Sequence, residues 1–175
     1  MLLCSPAYAF NNGFASALVG IDGLSGNSGD ISSNAFAYTH DTALTYGATL
    51  KYFISHVGVG ATITTAGFAG KTNLTTSIDH RINMLTGDIY LSLDDNINSG
   101  LPYGILFYGR LSDKASLNDI SVTENFNVLG LGAGYLIGQS SSSFAYGMEL
   151  RYIKTPSKMA APDLVSLYVI AGYRF

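Results

Sequence analysis

The chain has 175 residues, a single-domain length, and only 12% of them are charged while 47% are hydrophobic. No apolar run reaches the ~18 residues of a membrane-spanning helix, which excludes a helical membrane protein. A net charge of −3 gives no footing for nucleic acid, and the single cysteine, Cys4, excludes a disulfide scaffold.

The first nine residues, Met1 to Ala9, end in Ala7-x-Ala9. That pattern predicts the tail of a secretory signal cut after Ala9, although the basic start and most of the apolar core of such a signal are missing. Residues 10–175 are then one domain. Its first strand runs from Phe14 to Gly23. Ala15, Ala17, Val19 and Ile21 share one face, and Ser16, Gly20 and Asp22 the other, with Phe14 and Leu18 breaking the polar phase. The Ser/Gly/Asn stretch from Leu24 to Thr42 reads as a loop, whose Ala35-Phe-Ala-Tyr-Thr39 alternates as an extension of the next strand would.

The second strand, Leu44 to Ile54, alternates clearly, with Leu44, Tyr46, Ala48, Leu50, Tyr52 and Ile54 against Thr45, Gly47, Thr49, Lys51 and Phe53. Ser55-His56 leaves room only for a tight turn. The third strand, Val57 to Thr65, sets Val57, Val59, Ala61 and Ile63 over Gly58, Gly60, Thr62 and Thr64. A polar loop is expected from Phe68 to Arg81. The fourth strand, Asn83 to Leu93, opposes Leu85, Ile89, Leu91 and Leu93 to Thr86, Asp88, Tyr90 and Ser92.

Asp94 to Gly100 has the composition of a turn. In the fifth strand, Leu101 to Leu111, Tyr103, Ile105 and Phe107 are assigned to the apolar face and Gly104, Tyr108 and Arg110 to the other. A second polar loop follows, Ser112 to Glu124. The sixth strand, Phe126 to Ile137, carries Leu129, Leu131, Ala133, Tyr135 and Ile137 over Gly130, Gly132 and Gly134. After the Gln139–Ser142 turn, the seventh strand opposes Phe144, Tyr146, Met148, Leu150 and Tyr152 to Ala145, Gly147, Glu149 and Arg151. The loop from Thr155 to Pro162 leads to the last strand, which ends the chain. There Val165, Leu167, Val169, Ala171, Tyr173 and Phe175 share one face.

This makes eight strands of about ten residues, long enough to cross a bilayer at a tilt, with long and short connections in alternation. The fold class is therefore all-β, an eight-stranded antiparallel up-and-down barrel. Two orientations compete. With the apolar face inward the chain is a lipocalin-like soluble barrel. Its outer face would then carry a series of glycines, which weaken strands and are poor solvent-facing residues. With the apolar face outward, the glycines make room in a lumen that an eight-stranded barrel leaves barely wide enough for side chains. Lys51, Asp88, Arg110, Glu149, Arg151 and Arg174 then lie inside, where they must compensate one another.

On the outward face, Tyr52, Tyr103, Phe144, Tyr173 and Phe175 fall towards one set of strand ends, and Tyr46, Phe107 and Tyr152 towards the other, as interfacial girdles would. A last strand ending in Phe175, with Tyr173, Val169 and Leu167 before it, resembles that of small outer-membrane barrels of the OmpA/OmpX kind, the porin-family β-barrel domain. That resemblance implies a bacterial outer-membrane location and contact with lipopolysaccharide. It also implies that the assembly machinery reads Leu167, Val169, Tyr173 and Phe175. The external loops would bind a host or surface ligand in a structural or adhesive role.

Two other roles remain. A lipid-modifying hydrolase or acyltransferase needs Ser, His and acid within hydrogen-bond reach. Ser77, Asp79 and His80 are the nearest such set, and no enzyme motif supports them. A small porin or autotransporter-type translocator needs a wider lumen than eight strands provide. No cofactor or catalytic residue is expected, and His40 and His80 lack the ligand spacing of a zinc site.

Overall fold

The computed structural model describes residues 11–25, 36–38, 42–72, 77–94, 100–117, 120–138, 143–155 and 163–175. The proposed signal remnant lies outside them. Among the described residues nine strands form: β1 (Asn11–Ser25), β2 (Phe36–Tyr38), β3 (Thr42–Ile54), β4 (Val57–Thr72), β5 (Ser77–Ser92), β6 (Leu101–Leu117), β7 (Ile120–Gly138), β8 (Phe144–Lys154) and β9 (Asp163–Arg174). Eight of them close a ring, β1-β3-β4-β5-β6-β7-β8-β9, and β9 returns to pair with β1. Every neighbour is antiparallel. The seam between the ends of the chain is tied by a reciprocal pair of backbone bonds, Gly13 N to Phe175 O (3.0 Å) and Phe175 N to Gly13 O (2.9 Å).

The apolar face points outward. Leu44, Tyr46, Val59, Ile63, Leu85, Leu131, Met148 and Val169 are all more than half exposed. The opposite phase is buried in the lumen. Ser55 and His56 make the hairpin between β3 and β4, and Ser55 takes the positive φ (57°) that such a tight connection requires.

Three expectations are corrected. First, β6 is turned the other way. Tyr103, Ile105 and Phe107 are 3%, 4% and 1% exposed, while Leu106 and Tyr108 face outward at 53% and 59%. Both phases of this strand are largely apolar, so alternation does not choose between them; space does. Gly134 lies directly across from Tyr103 and Gly130 from Phe107, and the two rings occupy the volume a Cβ would take at those glycines. Second, and as a result, Arg110 is exposed and paired with outward-facing Leu85, so it does not enter the lumen. Tyr103 and Phe107 likewise leave the girdles.

Third, the segments read as loops at Phe68–Arg81 and Ser112–Glu124 are mostly strand. β4 and β5 stay paired to Lys71↔Ser77, and β6 and β7 to Leu117↔Ile120. Their polarity does not end backbone pairing: Phe68 and His80 stay buried on β4 and β5, and on β7 both phases from Ile120 to Asn125 are exposed. The short alternating piece before the second predicted strand becomes β2, which pairs with the upper end of β4 and does not extend β3.

Candidate functional site

Four of the six charged residues assigned to the lumen meet at mid-height. Lys51 comes from β3, Asp88 from β5, and Glu149 and Arg151 from β8; each is at most 3% exposed. Lys51 pairs directly with Glu149. Arg151 Nη2 reaches Asp88 at 3.0 Å and Glu149 at 2.8 Å, and Arg151 Nε donates to Glu149 at 2.9 Å. Two cations thus balance two carboxylates within one layer. Desolvated charges persist only with such partners and with further hydrogen bonds to their remaining lone pairs.

Hydroxyls supply those bonds. The Tyr103 hydroxyl donates to Glu149 at 2.7 Å. Asp88 accepts from Thr62 (2.5 Å), Thr86 (2.6 Å) and Tyr90 (2.7 Å). Lys51 lies 5.4 Å and 5.3 Å from the ring centres of Tyr90 and Tyr103, and Arg151 lies 5.2 Å from that of Phe107.

Next to the charged layer, towards the chain termini, Phe14, Phe53, Tyr90 and Tyr103 pack edge-on or tilted at 5.4–6.1 Å. Phe14, which broke the polar phase of the first predicted strand, belongs to this aromatic box. Towards the other end, Met84, Leu111, Phe126, Val128, Ile153 and Leu164 fill the lumen. The charges are therefore layered between apolar packing on both sides.

Arg174 stays apart. It is half-buried at the rim near the termini, in register with Phe14. Of the aromatic and assembly-signal residues, Leu167, Val169, Tyr173 and Phe175 face outward at 46–64% exposure. Tyr52, Phe144 and Tyr135 join them at the same end, and Tyr46 and Tyr108 mark the other. Tyr152 gives its hydroxyl to Asp163.

Of the hydrolase set, the Ser77 side chain lies outside the described residues, and His80 is turned to Asp113. His80 is a buried residue of β5 whose Nδ1 is 3.3 Å from both Asp113 carboxylate oxygens, while adjacent Asp79 is exposed. His56 sits exposed in the hairpin beside the Ser55 hydroxyl at 2.9 Å. His40 lies outside the described residues.

The hydroxyl partners were the part of the site that alternation alone did not single out. Thr62, Thr86 and Tyr90 sit on predicted inward faces, and their nearness to Asp88 is a matter of cross-strand register. Tyr103 was hidden by the reversed phase of its strand.

The closed ring, outward apolar face and filled lumen define the fold of the small eight-stranded outer-membrane barrels. Comparison with solved structures agrees. Ail, the attachment invasion locus protein of Yersinia pestis, superposes with a TM-score of 0.64 at 16% identity, over 94% of this chain and 99% of that one. Neisserial surface protein A gives 0.59 at 11% identity, over 93% and 95%. The N-terminal barrel domain of Pseudomonas aeruginosa OprF gives 0.54 at 12%, over 92% and 97%. No protein-family model and no curated protein sequence matches the chain.

Proposed function

We propose that this chain is an integral protein of a bacterial outer membrane, with a plugged barrel and a surface-interaction role carried by its external end. The observation that carries the reading is a division of labour along the barrel axis. The middle is packed with compensated charge and apolar side chains. The upper parts of β4 to β7 continue as paired strands past it, and Ile120 to Asn125 of β7 are exposed on both faces. Surface attachment, the role named for Ail, suits a barrel whose exposed polar side chains are concentrated there.

Lipopolysaccharide is the expected lipid partner. Arg81, Arg110, Lys114 and Lys154 are exposed on outward phases at or above the level of Tyr108. Arg81 stands directly across from Lys114. Like charges opposed in a sheet are destabilising, and a lipid phosphate between them removes that cost. Arg110, excluded from the lumen, fits this cationic band.

The test has two parts. The protein should fractionate with outer membranes and migrate differently on gels before and after boiling; recovery in the soluble fraction overturns the location. Replacing residues 70–78 and 115–122 by Asn-Gly turns should leave an inserted barrel that no longer binds cells or matrix. Undiminished binding overturns the surface role.

A further inference from the structure

Among the described residues, the lumen holds one carboxylate more than its ion pairs use. Lys51 and Arg151 are matched by Glu149 and Asp88. Asp22 of β1 is also buried, at 4% exposure, and no ion pair among the described residues includes it. Three hydroxyls surround it. Ser166 of β9 is its direct cross-strand neighbour. Tyr168 of β9 and Thr45 of β3 are both in register with Gly20, two residues away on β1. The Tyr168 hydroxyl bonds the carboxylate at 3.1 Å. The Ser166 and Thr45 hydroxyls face the same group. Both residues are 0% exposed, and both hydroxyls stand near enough to act as partners of the carboxylate without the close geometry of a full hydrogen bond. A buried carboxylate with no cation beside it among the described residues, and only loosely held hydroxyls, is a costly arrangement that an ion seated among them would relieve.

We propose that Asp22, Thr45, Ser166 and Tyr168 form a binding site for one small monovalent cation of the sodium kind. All four donors are oxygen, the ligand type that hard cations take. The set carries a single negative charge, which one monovalent ion neutralises; a divalent ion would leave positive charge in a lumen already holding Lys51 and Arg151. A water molecule would satisfy the hydroxyls without neutralising the carboxylate. A proton also neutralises it, and the neutral carboxyl donates to one hydroxyl while accepting from the others; only an ion makes stability depend on sodium.

The test is urea unfolding of the folded barrel in lipid vesicles, in NaCl and in tetramethylammonium chloride at equal ionic strength. Tetramethylammonium screens charge equally but is too bulky for a lumen filled with side chains. The unfolding midpoint should be higher in NaCl and should rise with sodium concentration, as linkage to a native-state site demands. Asp22→Asn should abolish the difference, and Thr45→Val, which keeps the charge and removes one donor, should shift the response to higher sodium concentration. Equal midpoints in the two salts would mean that only water or a proton occupies the site and overturn the proposal. An undiminished sodium response in Asp22→Asn would overturn it by placing the ion elsewhere.

Discussion

Glu149 receives hydrogen bonds from Lys51, Arg151 and Tyr103, so its loss leaves Lys51 without its carboxylate and Arg151 with Asp88 alone. Glu149→Ala should therefore cost about 3–5 kcal/mol of unfolding free energy, the penalty of an uncompensated buried charge. Urea titration in vesicles measures it. Lys51→Met combined with Glu149→Gln removes a charge of each sign and should cost less than the sum of its single changes; strict additivity would mean that the pair is not coupled. The glycines carry a second residue-scale expectation. At Gly134 an added Cβ meets the Tyr103 ring. Gly134→Ala should destabilise the barrel by about 1–3 kcal/mol, as overpacking does, and an unchanged midpoint would show that the ring moves aside freely. Lys51, Asp88, Glu149 and Arg151 were legible because each interrupts an apolar/polar alternation on the polar side. Their partners were less so: the inward glycines signal room, and here that room holds aromatic rings as much as charged chains.

Among the strands, β8 and β9 were legible almost residue by residue, because one phase is continuously apolar and the other holds Glu149, Arg151, Ser166 and Gly172. Strand β6 was not, since Leu101, Tyr103, Ile105 and Phe107 compete with Leu106 and Tyr108 for the same lipid. The upper reaches of β4 to β7 were missed for another reason. Alternation reports a difference between two environments, and on β7 from Ile120 to Asn125 both faces are exposed, while on β5 the buried phase continues with a polar residue, His80, that reads as loop. β9 carries its own prediction. Phe175 is 64% exposed, its ring lies across Gly13, and its backbone is bonded to Gly13. Little packing is lost with it once the barrel has closed. Deleting Phe175 should lower the amount of protein reaching the outer membrane, yet shift the unfolding midpoint of refolded barrel only slightly. Normal membrane levels of the truncated protein would rule out an assembly signal at this end.

At the scale of the whole molecule, the arrangement inverts a soluble protein. The apolar surface faces out, and the interior holds charge between two apolar layers. Orientation was legible from the inward glycines, because a water-facing sheet gains nothing from them, whereas a narrow lumen needs the volume they vacate. The layering was not, because it depends on how side chains from eight strands reach across the axis. Layering makes a specific claim about conduction. An ion crossing the barrel must displace the aromatic box, break the pairs of Arg151 and Lys51, and then pass Met84, Leu111 and Phe126. Removing one layer leaves the others in place. Planar bilayers containing the native barrel should show no steady conductance. The double change Phe53→Ala with Tyr103→Ala, which empties the aromatic box, should remain closed although less stable. Steady single-channel openings in the native protein would reject the plugged lumen. Openings confined to the double variant would identify the aromatic box, not the charged layer, as the seal.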